Sequence, residues 1–319
     1  MRFAIIGSGM AGLACADALA SAGHSAELFD KGRGAGGRMA TRRMHTPLGQ
    51  VSIDHGAQYF TVRDPGFAQL VARWRRAGIA TPWVPAGKDA WIGIPGMNAV
   101  IKQMAAPHAV RWNYLVKSVA RDDGGWRIIG DGQEEGPFDA VILAIPAEQA
   151  AAILSLHDFD MTRIALVARS QPCWTAMFVF DRRLDSLPTV IRNQGPVSWA
   201  ARNSDKPARA EPECWVVQAS GNWSLDRLED PPEEIAPLLL SALGQAAQRE
   251  LPQPVAATAH RWRYALSAGT GDGALWNAEL QLGVCGDWLL GPRIECAWLS
   301  GRRLADRCLG AALVKGSAS

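Results

Sequence analysis

Residues 1–30, MRFAIIGSGMAGLACADALASAGHSAELFD, decide the fold of this chain. Arg2 to Ile6 predicts a short buried strand, and Ala11 to Ala22 predicts an alanine-rich helix. Ser25 to Asp30 predicts a second strand, which ends in a carboxylate. This order of strand, helix and strand predicts one βαβ unit.

Three glycines, Gly7, Gly9 and Gly12, lie between the first strand and the helix in the spacing GxGxxG. The first permits a tight turn, the second lets backbone approach a pyrophosphate, and the third lets the helix pack close to the strand. The N–H groups at the start of the helix then face the phosphates. Asp30 follows where ribose hydroxyls need an acceptor, so the segment predicts a dinucleotide site.

A second glycine-rich segment, GRGAGGR (32–38), follows Asp30 directly. Its bare backbone and the guanidiniums of Arg33 and Arg38 can reach the same phosphates. An NAD domain rarely needs this second segment, so we expect FAD. The alternative for either arginine is a solvated basic loop.

Composition restricts the class of protein. With 319 residues, 48% of them hydrophobic and 20% charged, the chain is expected to form two globular domains. The net charge of +2 comes from scattered residues, which excludes an extended basic surface for nucleic acid or an anionic membrane. We therefore expect a small-molecule partner.

The cysteines and the N-terminus exclude other classes. No CxxC pair occurs, so neither a metal site nor a disulfide framework is expected among Cys15, Cys173, Cys214, Cys285, Cys296 and Cys308. The apolar N-terminus could pass for a signal peptide, but its glycines have the spacing of a phosphate-binding turn. No later run reaches the roughly 18 apolar residues of a membrane span. We expect a cytoplasmic protein that does not bind a membrane.

Four segments together resemble the FAD-binding motifs of the flavin amine oxidase superfamily. They are GSGMAG (7–12), FDKGRGAGGR (29–38), DHGAQYF (54–60), and a late GD (286–287) with ECAWLSG (295–301). Within that superfamily the chain resembles the bacterial renalases, as the segments HRWRY (260–264) and WAARN (199–203) also indicate. The resemblance extends over nearly the whole chain.

The resemblance implies an α/β (α+β) fold of the p-hydroxybenzoate hydroxylase and amine oxidase type. A Rossmann-like FAD-binding domain, residues 1–60, 93–163 and 276–319, would be interleaved with a substrate domain. That second domain, residues 61–92 and 164–275, would contain a mixed or antiparallel sheet.

Patterns along the chain agree with this division. Met97 to Ala105 predicts a helix, and Val110 to Val119 predicts a strand paired with Gly125 to Ile129 around an Asp-Asp-Gly turn. Asp139 to Ile145 predicts a strand buried on both faces. In the second lobe, alternation in Thr175 to Phe180 and Trp215 to Ala219 predicts antiparallel strands, followed by a helix over residues 238–249.

The resemblance also implies where FAD would lie. Asp30 would bind the adenosine ribose, Arg38 the pyrophosphate, and Asp287 the ribityl or pyrophosphate region. The last helix, predicted over residues 295–309, would direct its N–H groups at flavin N1 and the C2 carbonyl. No cysteine or histidine matches an attachment motif, so binding is expected to be non-covalent. The full predicted set is Gly7, Gly9, Met10, Ala11, Gly12, Asp30, Lys31, Gly37, Arg38, Gly56, Ala57, Gln58, Tyr59, Asp287, Glu295, Cys296 and Ala297.

The chain departs from the amine oxidase pattern at three places, and the first two, the missing lysine and Arg293, argue against an amine-binding cage. The strand expected to supply a lysine beside the flavin, residues 171–177, has none. Arg293 stands about where a cage tyrosine is expected, and Cys296 replaces a usual glycine. The Cys296 thiol would either touch the flavin or pack as a small side chain.

Renalases oxidise isomers of NAD(P)H reduced at position 2 or 6 of the nicotinamide ring. They form NAD(P)⁺ and pass the electrons to O2, which becomes H2O2. Hydride loss from a dihydropyridine needs no proton removal, so positioning would dominate catalysis. The candidate positioning residues are Arg202, Asn203, Trp223, His260, Trp262, Tyr264, Trp288 and Arg293.

Each candidate has a structural alternative. Buried tryptophans usually pack in cores, a histidine is often satisfied by structural contacts, and an arginine can belong to a salt bridge. Two other functions also stay open: a flavin amine oxidase or related desaturase, and a non-catalytic FAD-binding redox sensor.

Overall fold

The computed structural model describes residues 1–209 and 212–316, with side chains up to residue 310. The helices of this part of the chain are α1 (Met10–Ser21), α2 (Pro65–Arg76), α3 (Ala99–Ala105), α4 (Ala147–Leu154), α5 (Phe159–Val167), α6 (Gly221–Asp226), α7 (Pro232–Ala247) and α8 (Ile294–Gly316).

The strands form five sheets. In chain order the strands are β1 (Arg2–Ile6), β2 (Ser25–Phe29), β3 (Thr41–Thr46), β4 (Gly49–Asp54), β5 (Phe60–Thr61), β6 (Ala80–Pro82), β7 (Ala90–Gly93), β8 (Ala109–Arg111), β9 (Ser118–Asp122), β10 (Gly125–Ile129), β11 (Glu134–Phe138), β12 (Ala140–Leu143), β13 (Ser170–Phe180), β14 (Val190–Gln194), β15 (Val197–Arg202), β16 (Glu213–Ala219), β17 (Ala256–Ser267), β18 (Leu275–Asn277) and β19 (Leu282–Val284).

The N-terminal βαβ unit forms the centre of a six-stranded sheet. The strand order is β18-β19-β12-β1-β2-β8, and every pair is parallel except the pair formed by β18 and β19. Ile5 of β1 lies between Leu28 of β2 and Ile142 of β12, and all three side chains are fully buried. This matches the continuous apolar runs of a parallel sheet covered on both faces. The predicted Rossmann-like unit is therefore confirmed.

The last helix, α8, packs directly against α1. A Cβ added at Gly301 would stand 2.1 Å from the carbonyl oxygen of Ala11 and 3.0 Å from the amide nitrogen of Cys15. Because only glycine permits this approach, Gly301 fixes the distance between the two helices. With 23 residues, α8 is the longest helix of the described chain. Among the described residues, no helix is both long and apolar enough to cross a lipid bilayer.

The second lobe is built on a five-stranded antiparallel sheet of order β14-β15-β16-β13-β17. One face packs against α7, with Ile235 and Leu239 in its core. The other face packs against Val51 and Ile53 of β4. The predicted antiparallel sheet is therefore confirmed, and its second face rests on a hairpin that leaves the nucleotide-binding unit.

One predicted strand was wrong. Val110 to Val119 does not form one strand paired with residues 125–129, because β8 ends at Arg111 and joins the parallel sheet beside β2. The chain turns at Asn113, whose φ is +58°, and the amides of Asn113 and Tyr114 bond the carbonyls of Gly32 and Asp30. Only β9 pairs with β10, around the predicted turn.

The helix predicted over residues 238–249 begins earlier, at Pro232, and ends at Ala247. Proline at the first helical position needs no N–H partner, and Glu233 and Glu234 favour the first turn. Pro237 lies inside the helix rather than before it. A proline inside a helix usually ends or kinks it, so its position here is not one that sequence rules favour.

Residues 61–92 contain α2 and the small sheet β5-β7-β6. Phe67 and Trp74 of α2 belong to the same hydrophobic cluster as Leu13 of α1. This segment therefore packs on the nucleotide-binding unit. The division of the chain into two interleaved domains stays a proposal.

The contact of α1 with α8 predicts different effects on stability when each of two glycines of α8 is replaced by alanine. Gly301→Ala places a methyl group against Ala11, so we expect the free energy of unfolding to fall by about 1 to 3 kcal/mol. Gly310→Ala is the matched control, because nothing lies within 4 Å of its added Cβ. The control should be neutral or stabilising by up to about 1 kcal/mol. Urea unfolding measures both, and equal stabilities would contradict the close packing.

Candidate active site

A cavity of about 390 Å³ lies between the parallel sheet and the five-stranded sheet. One end is formed by the first residues of α1, Gly9 to Ala11, together with Arg38. The other walls come from β13 (171–173), from residues 218–221, from β17 and from the start of α8. Nucleotide-binding backbone and substrate-side strands therefore share one cavity, as ligand sites between domains usually do.

The three glycines of the N-terminal turn have distinct surroundings. Gly7 has a φ of +102°, and an added Cβ would stand 2.4 Å from the carbonyl oxygen of Ala144. A Cβ at Gly12 would stand 2.1 Å from the carbonyl oxygen of Gly7, whereas a Cβ at Gly9 would meet nothing within 4 Å. Gly7 and Gly12 therefore permit the fold, and Gly9 leaves open space beside the cavity.

The start of α1 fits a diphosphate. Within the described chain, no side chain caps this end, and its first turn contains no acidic residue. Unpaired N–H groups and the helix dipole favour an anion at such a position. Met10 and Ala11 of this turn line the cavity.

Asp30 joins the two glycine-rich segments. Its carboxylate accepts hydrogen bonds from the Ser8 amide and hydroxyl, both at 2.8 Å, and from the Gly32 amide at 2.7 Å. Asp30, Lys31 and Gly37 lie outside the cavity walls. Asp30 therefore orders the phosphate-binding loops, and its contact with a ribose stays a prediction.

Arg38 and Asp287 form a bidentate ion pair at the cavity wall. The two guanidinium–carboxylate distances are 2.7 and 2.5 Å, and Arg38 also donates to the carbonyl oxygen of Ala265 at 3.3 Å. Burial by itself lowers the pKa of Arg38, but Asp287 outweighs it and raises that pKa above its ordinary value. Arg38 therefore stays charged, and the pair joins the predicted pyrophosphate and ribityl positions.

Asp54 is a buried acid that the sequence analysis did not single out. Its carboxylate accepts from the Met97 amide at 2.9 Å and lies 3.3 Å from Lys206 Nζ and 2.6 Å from an Arg209 nitrogen. Burial raises the pKa of Asp54, but Lys206 and Arg209 outweigh it and lower that pKa to about 2. Burial lowers the pKa of Lys206 to about 8, against the opposing effect of Asp54. These charges hold residues 203–209 against the segment that follows β4.

That segment divides between cavity and core. Gly56 and Ala57 line the cavity. Gln58 turns into the core, where its amide donates to the carbonyl oxygens of Asp54 and Gly56 and its oxygen accepts from Lys206 at 3.0 Å. The ring of Tyr59 lies 5.1 Å from that of Trp199. Gln58 and Tyr59 therefore position the wall without forming part of it.

The start of α8 forms the opposite wall with Ile294 and Ala297. Glu295 is buried, and its carboxylate accepts from the amides of Arg63 and Asp64 at 2.6 and 2.7 Å. Cys296 is also buried and lies outside the cavity walls, which favours its interpretation as a packed side chain.

Two of the predicted positioning residues, Trp262 and Arg293, line the cavity. The buried Nη1 of Arg293 lies 3.4 Å from a Glu295 oxygen, but the side chain as a whole is 39% exposed. The exposed N–H groups of Arg293 can therefore donate to a ligand.

Arg202 and Asn203 have structural partners instead. Arg202 donates to Glu213 at 2.9 Å, to Asp205 at 3.1 Å and to two backbone carbonyls. The Asn203 side chain accepts from the Asp54 amide and donates to the Ser52 carbonyl, both at 3.2 Å. Neither residue lines the cavity, and a contact of either with the substrate stays a prediction.

Four further candidates also lie outside the cavity walls: Trp223, His260, Tyr264 and Trp288. Trp288 is buried and donates to the Ile145 carbonyl at 3.1 Å, and the Trp223 ring lies under the Arg227 guanidinium. The His260 ring lies 4.5 Å from that of Trp262, and burial lowers the pKa of His260. Tyr264 is half-buried.

Other polar residues line the cavity that the sequence analysis did not select: Gln171, Cys173, Ser198, Gln218 and Ser220. Burial raises the pKa of Cys173 to about 11, so this thiol stays protonated. No local motif marks these residues in the sequence, because they come from three strands and the N-cap of α6, which meet only in the folded protein.

Comparison with known proteins assigns the two parts of the chain. Residues 5–74 match the NAD(P)-binding Rossmann-like domain, and residues 85–309 match the flavin containing amine oxidoreductase family. Renalase from Mus musculus is 26% identical over 296 residues, which cover 82% of this chain and 84% of that protein.

Solved structures share the fold. Cyclohexylamine oxidase from Brevibacterium oxydans IH-35A has a TM-score of 0.74 at 13% identity, covering 98% of this chain and 99% of its own. A fatty acid isomerase from P. acnes has a TM-score of 0.68 at 14% identity, covering 96% and 98%. At such identities the likeness shows the fold alone, so the reaction must be argued from the site.

The glycine turn predicts a separation of folding from cofactor binding. Gly9→Val places its side chain in open space beside the cavity, so the protein should fold but lose its flavin. Gly7→Ala should instead lower the free energy of unfolding by about 1 to 3 kcal/mol, because its methyl group meets Ala144. Thermal melts followed by circular dichroism and flavin absorbance measure the two effects. A Gly9→Val protein with full flavin would place the diphosphate elsewhere.

The buried charges predict an acid-dependent stability. Asp54→Asn leaves Lys206 and Arg209 without their carboxylate, so we expect a loss of about 3 to 5 kcal/mol at neutral pH. Because the folded pKa of Asp54 is about 2, below its ordinary 3.8, its contribution is complete above pH 3.8 and disappears as the pH falls toward 2.

In urea unfolding, the difference in free energy of unfolding between wild type and Asp54→Asn should therefore narrow as the pH falls from 3.8 to about 2. Asp160→Asn is the control, because the Asp160 side chain is 86% exposed and should change stability little. A difference that stays constant down to pH 2 would contradict the assignment.

Proposed function

The chain belongs to the flavin containing amine oxidoreductase family, and we propose that it is an FAD-dependent oxidase of isomeric dihydronicotinamide nucleotides. Membership makes it a flavin-dependent oxidoreductase. The likeness to mouse renalase supports the narrower proposal. FAD as the flavin and the 2- or 6-dihydro-NAD(P) substrates are parts of that proposal.

The charge of the cavity carries the proposal. Among the described residues that line it, Asp287 is the one carboxylate, and it is paired with Arg38. Arg293 adds a second cation, whose side chain is 39% exposed and whose buried Nη1 lies 3.4 Å from a Glu295 oxygen. Such a cavity favours an anion, which a nucleotide phosphate supplies, and disfavours the ammonium group of an amine.

The aromatic lining supports the same conclusion. Trp262 is the one aromatic side chain among the described lining residues. An amine cage needs aromatic faces on more than one side of the cation. One indole instead suits a flat nicotinamide ring on one side of the cavity.

The lining also lacks a general base within the described chain. It contains no histidine, lysine or glutamate, Asp287 is held by Arg38, and the Cys173 thiol stays protonated. Hydride loss from a dihydropyridine restores aromaticity and needs no such base. Binding and orientation then account for catalysis.

The described residues fit FAD along the whole cavity. The start of α1 would hold the diphosphate, the Arg38–Asp287 pair the adjoining ribityl chain, and the start of α8 the ring. The chemistry that bound FAD supplies is acceptance of a hydride, followed by transfer of the electrons to O2 to give H2O2. The N–H groups of α8 favour the negative charge that develops on reduction. Arg293 would bind an anionic part of the substrate.

Anaerobic mixing tests the proposal. The 2- or 6-dihydro isomers of NAD(P)H should bleach the flavin absorbance, whereas putrescine and cyclohexylamine should not. Arg293→Gln should raise KM about 10-fold or more with a smaller change in kcat, since a charged hydrogen bond to substrate is lost.

Two results would contradict it. Bleaching by amines but not by the isomers would favour an amine oxidase or desaturase. Bound flavin that no donor reduces would favour a redox sensor.

A further inference from the structure

One wall of the cavity is bare backbone. At Gly56 an added Cβ would stand 2.1 Å from the carbonyl oxygen of Arg38, so this position accepts no side chain. The Ala57 amide donates to the same carbonyl oxygen at 2.8 Å. On one side, this wall therefore packs against the loop that contains Arg38.

The other side of this wall is held by the five-stranded sheet. The indole nitrogen of Trp262, on β17, donates to the carbonyl oxygen of His55 at 2.9 Å. The side-chain amide of Gln218, on β16, donates to the carbonyl oxygen of Gly56 at 2.8 Å. Two consecutive peptide groups are thus bonded to side chains more than 150 residues away in the sequence.

These two bonds fix the orientation of the wall. A peptide group is planar, so holding its carbonyl also fixes the direction of its N–H. Gly56 would otherwise have more conformational freedom than any other residue type. With both carbonyls held, the backbone at residues 55–57 presents one surface to the cavity.

We propose that Gln218 and Trp262 are positioning residues for the flavin: they hold the backbone of residues 55–57 in one orientation and so set flavin affinity and absorption. They act from the substrate-side sheet, through bonds that do not involve the substrate. Trp262 thereby has a second role besides any contact with a nicotinamide ring.

The two carbonyl oxygens differ in the number of hydrogen-bond donors that hold them. The carbonyl oxygen of Gly56 also accepts from the Gln58 amide at 3.0 Å. The carbonyl oxygen of His55 has Trp262 as its one hydrogen-bond donor among the described residues. Loss of the Trp262 donor should therefore have the larger effect.

The test uses Gln218→Met, which removes a donor and keeps a similar side-chain volume, and Trp262→Phe, which removes a donor and keeps an aromatic ring. Gln194→Met is the matched control, because Gln194 lies on β14 of the same sheet, is exposed and lies outside the cavity walls. Apoprotein of each variant is titrated with FAD, and the visible spectrum and reduction potential of each complex are recorded. No substrate is needed, so failure of the substrate proposal does not affect this test.

We expect FAD to bind about 3- to 10-fold more weakly to Trp262→Phe than to wild type. The loss of affinity should be smaller in Gln218→Met, and Gln194→Met should bind FAD as wild type does. The flavin spectrum and potential should shift in the first two variants alone. If Trp262→Phe does not fold, Gln218→Met still tests the proposal. We expect Gln218→Met to fold, because the Gly56 carbonyl oxygen keeps its hydrogen bond from the Gln58 amide.

Wild-type FAD affinity, spectrum and potential in both variants would overturn the proposal. An equal shift in Gln194→Met would also overturn it. A wild-type apoprotein that binds no FAD would instead contradict the cofactor proposal.

Discussion

Close backbone contact around the first turn of α1 is the constraint on which the rest of the structure depends. Gly12 lies against Gly7, and Gly301 of α8 lies against Ala11, so no side chain separates these segments. The contact leaves the N–H groups at the start of α1 without a side-chain cap in the described chain. Backbone packed this closely can hold a diphosphate, because an anion is stabilised by free N–H groups that need no rearrangement.

Long-range polar contacts then join this nucleotide-binding unit to the substrate-side sheet. Arg38 reaches Asp287 and the carbonyl oxygen of Ala265, and Asp54 reaches Lys206 and Arg209. Together with the bonds to residues 55 and 56, these contacts form the walls of one cavity. A change in either lobe is therefore expected to alter the position of the cofactor as well as of the substrate.

The sequence was most informative where structure is local. The spacing of three glycines predicted the turn, the helix and the strand, since each glycine acts on neighbours within the same βαβ unit. Arg38 and Asp287 were selected from family motifs and Arg293 as a departure from the family pattern, and all three line the cavity. The buried partners of Arg202 and Asp54 could not be predicted, because ion pairing depends on which loops meet after folding.

The segment His260 to Tyr264 shows the same limit on a single strand. Alternation places residues 260, 262 and 264 on one face, yet only Trp262 lines the cavity. Pairing between β13 and β17 shifts register between Gln171 and Cys173, where Pro172 has no N–H to donate. Tyr264 lies within that irregularity, between Trp262 and Leu266, and sequence alone gives no means of locating it. The predicted strand was useful, but its register was needed to identify the functional side chain.

The central claim is that this backbone cradle holds FAD without a covalent bond. The visible spectrum of the purified protein, followed by identification of the chromophore released on denaturation, tests it most directly. The account predicts a yellow protein that releases intact FAD into the supernatant. A colourless protein that takes up no FAD, or one that releases FMN, would contradict it.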